Sequence, residues 1–512
     1  MTTLPLGQQT LGQSGTAVRS GAAHVSSARD HDGLATVLEL PLIEPDFSDH
    51  VVSPPWVQSR NWWILLVVSG AVALVFLSLV GYSVVAGIGV WGSQIPVAWA
   101  FPIVSFVWWI GIGHAGTFIS AFLILLNQRW RGSINRLAEA MTLFALVNAG
   151  IFPLLHLGRQ WYAFWLIPYP ATTDVWPQFK STLPWDVAAI STYFTISVLF
   201  WYLGLIPDLA TARDRSPGLL RRRVYGLFAL GWRGTARQWR HHRAAYIMLA
   251  GLATPLVISV HSTVSLDFAI AQLPGWHSTI FPPYFVVGAI YSGLAMVIVL
   301  TLPVRRWLRL EQVITDRHLD GLAKLMLVTG LMLLYSYAIE QFIAWYSADQ
   351  FERYQYLTAR LSGPYAPVFW AMTIGNLLSP QLFWSARMRR SKPALIIVSL
   401  IVLVSMWAER FVIIVASLNR GFLPSSWKLF IPTWVDWGIL GGSFGLFLFL
   451  FLLFLRFVPT VAMSEVRRLA YDMETEGDAA GSSARARTAT GASHALPAPA
   501  GPDAYGPARG EA

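Results

Sequence analysis

Ten long apolar stretches constrain this chain more than any other feature. They run approximately over residues 62–88, 97–126, 137–157, 185–206, 245–267, 283–303, 322–345, 366–386, 394–417 and 434–457. A hydrocarbon layer of roughly 30 Å is crossed by about 20 residues of helix rising about 1.5 Å each. No water is available there for a free backbone group, so each stretch must close its hydrogen bonds internally. The expected fold is all-α, a polytopic membrane protein of ten transmembrane helices. Only 12% of the 512 residues are charged, and they cluster in the connections. Residues 1–60 read as a polar N-terminal tail, 61–460 as the membrane domain, and 461–512 as a second tail whose Ala-, Gly-, Ser- and Pro-rich part from 472 reads as disordered. The first apolar run begins at Asn61, too far in for a secretory signal, so the first helix is read as retained.

The basic residues give an orientation. The loops after the second, fourth, sixth and eighth stretches carry 21 Lys and Arg, among them Arg131, Arg136 and nine arginines between Arg213 and Arg243, whereas the alternate loops carry six. Cytoplasmic loops hold such an excess, which places both termini in the cytoplasm. The formal charge of +10 is therefore assigned to loops at a bilayer, and no nucleic-acid partner is expected. With no cysteine, the chain cannot hold a thiolate-bound iron–sulfur cluster, so any such chemistry belongs to a partner.

Ionisable groups at membrane depth are costly and mark function or pairing. Taken along the helices, His156, Asp186, His261 and Asp267 fall near one level at the outer face, on three consecutive spans that short connections make neighbours. Solvated helix ends are the bland explanation for any one of them. Together they suit a substrate that loses two protons and two electrons. An imidazole can take a hydroxyl proton near neutral pH, and a carboxylate can take the second. Trp161, Tyr162, Phe164, Trp165 and Trp185 could form a flat slot, or simply an interfacial aromatic belt. His114 lies deeper, among Gly111, Gly113, Ala115 and Gly116, which permit close helix packing. It reads as a core histidine or a station on a proton path. Glu340 and the adjacent Glu409 and Arg410 also lie within spans, as a charge network or a proton route. Neighbouring residues on a helix do not face each other, so Glu409 and Arg410 are expected to have separate partners. His156 and His261 could in principle ligate one haem, but the favoured reading has no metal or haem bound by this chain.

Several strings resemble a known family. WAFPIVSFVWWIGIGHAGTFISA (99–121), NRLAEAMTLFALVNAGIFPLLHLGRQW (135–161), STLPWDVAAISTYF (181–194), LAGLATPLVISVHSTVSLDFA (249–269), PGWHSTIFPPYFV, ERFVIIVASLNRGFLPSSW and PTWVDWGILGG resemble the NrfD/PsrC superfamily. More narrowly, they are similar to the ActC subunits of bacterial alternative complex III. The resemblance covers roughly residues 40–470. It implies two four-helix bundles plus two extra helices in a bacterial plasma membrane, and no cofactor of the chain's own. It implies oxidation of menaquinol or ubiquinol near the outer face, with electrons passing to a partner iron–sulfur subunit and then to c-type haem subunits, beside a second NrfD-like subunit. The residues it assigns to the quinol site are His156, Asp186 and Asp267. Arg159 is placed to stabilise developing negative charge or to pair with a partner's acid, and the loop 158–184 to dock a partner. Gln160 departs from the family, where many members carry Pro. A quinone-reducing subunit of a molybdoenzyme, polysulfide or nitrite reductase complex is the alternative of the same class. A proton-coupled transporter using His114, Glu340 and Glu409, or a plain membrane anchor, is the alternative of another class.

Overall fold

The computed structural model describes residues 46–166 and 181–471, and among these the secondary structure is helical throughout. The ten helices corresponding to the apolar stretches are α1 (Arg60–Ala86), α2 (Phe101–Leu125), α3 (Asn135–His156), α4 (Leu183–Arg215), α5 (Ala236–Ala269), α6 (Phe281–Trp307), α7 (Asp316–Tyr346), α8 (Ala366–Leu377), α9 (Lys392–Ala416) and α10 (Trp434–Phe457). All but α8 are long and apolar enough to cross a bilayer, which makes nine among the described residues. The expected tenth span is broken: α8 ends at Leu377 and a 3-10 turn, Ser379–Trp384, follows. Pro380 is the cause. It has no N–H to give the carbonyl four residues back, and its ring crowds that position. The stranded carbonyl belongs to Asn376, and the Tyr291 hydroxyl of α6 donates to it at 3.2 Å.

Packing follows the two-bundle expectation. α2 lies against α3 and α5, α4 against α5, α6 against α7 and α9, and α8 against α9. α2 and α6 join the two sets, and α1 pairs with α10. Of the most apolar window of each helix, 83% is buried in α2 and 78% in α6 against 22% in α1, so the first two form the core. Their approach depends on missing side chains. A Cβ at Gly116 would meet the Ala138 carbonyl oxygen at 2.0 Å, and one at Gly293 would meet the Ala115 Cβ at 2.4 Å. Asn148 and Asn376, polar residues within these helices, are both fully buried.

Two segments read as tail are structured. A helix spans Asp46–Val52, and another covers 463–471. Asp49 pairs with Arg215 at 2.9 Å, and Arg467 donates to Ser48. The compact unit therefore extends beyond the expected limits of 61 and 460 at both sides.

Arg136, counted above as a loop cation, is a core residue. It is 1% exposed and contacts Glu139 at 2.9 Å, Asp208 of α4 at 3.2 Å and the Gly204 carbonyl. Tyr246 of α5 donates to Glu139 at 3.2 Å, the Ser464 amide donates to Asp208 at 3.3 Å, and Arg131 pairs with Glu465 at 3.0 Å. One guanidinium thus ties α3 to α4, and its acids carry the link to α5 and to the helix after α10. Removing one partner of such a cluster strands buried charge. Arg136→Met is expected to lower stability by about 3–5 kcal/mol, and Arg136→Lys, lacking the planar fork, is expected not to restore it. Thermal unfolding in detergent measures both; an unshifted melt for Arg136→Met would refute the assignment.

Candidate functional site

His156 is the last residue of α3. The helix stops there because Gly158 takes a φ of +70°, with its amide on the Leu155 carbonyl at 3.1 Å. Two tryptophans from the connection between α1 and α2 flank the imidazole. Trp91 stacks on it at a centroid distance of 6.4 Å and Trp99 meets it edge-on at 6.2 Å. That connection is pinned by Asp436, which caps α10 and accepts from the Gly92 amide at 2.8 Å. Trp91 is held in turn by its indole N–H on Ser83 at 3.1 Å. The His156 ring is half-buried, and its Nδ1 is buried with no protein partner.

The acids form a second centre. Pro184 opens α4 and Asp186 lies in its first turn, where a carboxylate suits the helix dipole. Asp186 is 6% exposed, and its carboxyl lies close to that of Asp267, near the end of α5. The Thr182 hydroxyl donates to the other side of the pair, on Asp267 Oδ1. Two carboxyls this close repel one another when both are ionised. The Asp186 Oδ1 is buried without a further partner. Trp99 bridges the two centres, since it also packs on Phe268, next to Asp267, at 5.9 Å and on Trp276 at 5.7 Å.

His261 is not with this set. Its ring lies 4.6 Å from that of His114 and 5.9 Å from Phe285, with neither nitrogen bonded to protein. The level expected for it is wrong because six residues separate it from Asp267. At about 1.5 Å and 100° per residue, that is about 9 Å along the axis and a different face of the helix. His114 is fully buried, with Nδ1 at 2.6 Å from the Ile110 carbonyl and its ring stacked on Tyr193. The two histidines form a mid-bundle pair rather than part of the outer group. Arg159 is exposed. Both amide atoms of Gln160 are buried without partners.

Of the two readings of the outer aromatic residues, an interfacial belt suits their exposure better than a slot. Trp161, Tyr162, Phe164 and Trp185 are 63%, 44%, 53% and 49% exposed, whereas Trp91 is 3% exposed. The enclosing rings are Trp91, Trp99, Phe268 and Trp276, which sequence reasoning did not select. The Trp–Ala–Phe–Pro start of α2 was the signal available. The side chain of Trp165 and the loop residues 167–180 lie outside the described residues, so most of the expected docking loop does too.

In the second half, Glu340 accepts from Tyr356 at 2.6 Å and Arg360 at 3.3 Å. Glu409 accepts from Tyr337 and lies 3.5 Å from the Asn376 amide nitrogen. Contrary to expectation, Arg410 has Glu409 itself as a partner, at 3.1 Å through Oε1 but without hydrogen-bond alignment. Both are buried, and both side chains bend round the helix to meet. The guanidinium also covers the Phe285 ring at 4.1 Å. Among the described residues no three histidine or carboxylate side chains converge as metal ligands do.

The polysulphide reductase NrfD family matches residues 89–420, well over half of the chain. The chain belongs to that family. The NrfD region contains α2 to α9 and every candidate residue above, and it leaves out α1 and α10. A putative membrane subunit of a dimethyl sulfoxide reductase from Halobacterium salinarum is 25% identical over 242 residues, covering 44% of this chain and 51% of the relative. A selenate reductase subunit from Mesobacillus selenatarsenatis is 25% identical over 211 residues, 40% of this chain and 47% of the relative. The chain spans about half the length of these curated relatives.

The carboxyl pair makes a prediction independent of activity. Asp267→Asn keeps a group that can bond both Thr182 and Asp186, and is expected to melt within about 1 kcal/mol of wild type. Asp267→Ala leaves a buried carboxyl unpaired and is expected to cost about 1–3 kcal/mol. Equal melts for the two variants would mean the pair is not formed.

Proposed function

We propose that this NrfD-family chain is the quinone-reactive membrane subunit of a multi-subunit oxidoreductase, with His156, Asp186 and Asp267 as the proton-handling groups. The observation that carries this is the placement, at one end of neighbouring helices α3, α4 and α5, of a half-buried imidazole with an uncommitted nitrogen and of two close carboxyls, with Trp99 between them. A quinol becomes a quinone by releasing two electrons and two protons. One imidazole nitrogen of His156 takes the first proton from a ring hydroxyl. The Asp186–Asp267 pair accepts the second and passes its own proton on. Trp99, in contact with His156 and Phe268, supplies the flat wall against which a ring lies. The electrons leave to an iron–sulfur subunit docked on the same face.

Both relatives are reductase subunits by name, one of them a membrane subunit. That supports electron delivery from quinol, through the iron–sulfur partner, to a catalytic reductase subunit. The same site run backwards reduces quinone when the partner is a donor. A second reading, oxidation of menaquinol or ubiquinol in an alternative complex III with c-type haem partners and a second NrfD-like subunit, is favoured by the ActC-like strings at 99–121 and 135–161. The company the chain keeps separates them: haem c absorbance in the purified complex supports the second, and a haem-c-free complex with a large catalytic subunit supports the first.

His156→Gln and Asp186→Asn are each expected to reduce quinol turnover by about 10²–10⁴, the usual contribution of a positioned acid or base, while the complex still assembles. Turnover at the wild-type rate in either variant removes that residue from the reaction.

A further inference from the structure

The second half of the bundle contains a cavity of about 210 Å³ between α7, α8 and α9, to which α3, α4 and α5 contribute no residue. Its mouth is formed by Leu334 and Ala338 on α7 and by Thr373 and Leu377 on α8; the first two are exposed and the others half-buried. These helices present apolar side chains outward on both sides of the mouth, Tyr335 and Phe342 on one and Trp370 and Ile374 on the other. The cavity is therefore entered from the apolar surface of the bundle, not from a loop.

Its inner end is polar. Arg360 is 3% exposed, and its Nε is buried without a partner. Glu340 is 6% exposed, and both of its contacts, from Tyr356 and Arg360, use Oε1, which leaves Oε2 uncommitted. Gln341 and the rings of Tyr284 and Tyr337 complete that end. Two π turns shape the site. One, Gln355–Ala359, immediately precedes Arg360, and the other, Val412–Ala416, begins with the wall residues Val412 and Ile413. Single π turns within helices recur at functional sites.

An apolar slot open to the side of a membrane bundle, ending in one unused donor and one unused acceptor beside aromatic faces, has the chemistry of a lipid-borne ring with oxygen substituents. Arg360 Nε can donate to a ring carbonyl, Glu340 Oε2 can accept from a ring hydroxyl, and the tail lies along the mouth. We propose that this cavity is a second binding site for an isoprenoid quinone, separate from the His156 site; the inference rests on the reading that the complex works on quinones. An acyl chain would fill the apolar part but use neither polar group.

The test is photolabelling of the purified complex with an azido-quinone bearing a short isoprenoid tail, followed by peptide mapping. Label is expected on segments 334–341 and 369–377 in addition to the segments around Trp99 and His156. Unlabelled quinone should compete at both, and saturated phospholipid at neither. Met372→Trp, which fills the slot, should lower label on the α7 and α8 segments about tenfold, the loss that about 1.4 kcal/mol of overpacking gives. Label at the His156 site should stay unchanged, and that is also the control for folding. Thr373→Phe at the mouth provides the same test if Met372→Trp does not assemble. Label confined to the His156 site, or displaced from α7 and α8 by phospholipid, overturns this proposal and leaves the first reading standing. Label at neither site overturns both.

Discussion

A membrane interior offers no water to a backbone carbonyl released from its helix, and this bundle contains several such carbonyls at the places where its chemistry sits. Pro380 frees the Asn376 carbonyl, and Tyr291 bonds it. The π turn in α9 releases carbonyls that Trp276 reaches at Ile413 (2.6 Å) and Gln355 at Ala416 (3.1 Å). Each substitute comes from another element, so every local irregularity is also a tertiary tie. Regular helix needs no such help. The broken and bulged segments are therefore the parts of the molecule that only the complete bundle can stabilise.

The same logic explains what could be read from the amino acids alone. Nine spans were legible because hydrophobic length is a one-dimensional property. The tenth was legible as an apolar stretch but not as a broken helix, although Pro380 was in plain view, because the break is tolerable only with Tyr291 opposite. Asp186 and Asp267 were legible as neighbours because each lies within a turn or so of a helix end, where depth and position along the chain coincide. His261 was misplaced because it lies two turns inside, and there helical rotation decides which neighbour a side chain meets. Arg136 looked like a loop charge because it begins a helix. Its role depends on Glu139, one turn along, and on Asp208, far away in the chain.

The polar interior is divided. At one end the Arg136 cluster ties helices together through buried ion pairs, with Arg136 Nε and Arg131 Nη1 left without partners. At the other, His156 and the carboxyl pair keep atoms unused. Between them, His114 and His261 touch in the middle, next to the Phe285 ring that Arg410 covers. An uncommitted atom is where a substrate can add a contact without first breaking one.

The pairing of α1 with α10 has a consequence for synthesis. The Trp62 indole donates to the Leu452 carbonyl at 3.3 Å, and the Arg456 guanidinium lies 4.5 Å from the Trp62 ring. A ribosome delivers α1 before α10, so α1 must wait in lipid while the helices between them are made. Its near-uniform apolar surface equips it for that wait. The eight helices between them can thus assemble before α1 and α10 meet and fasten.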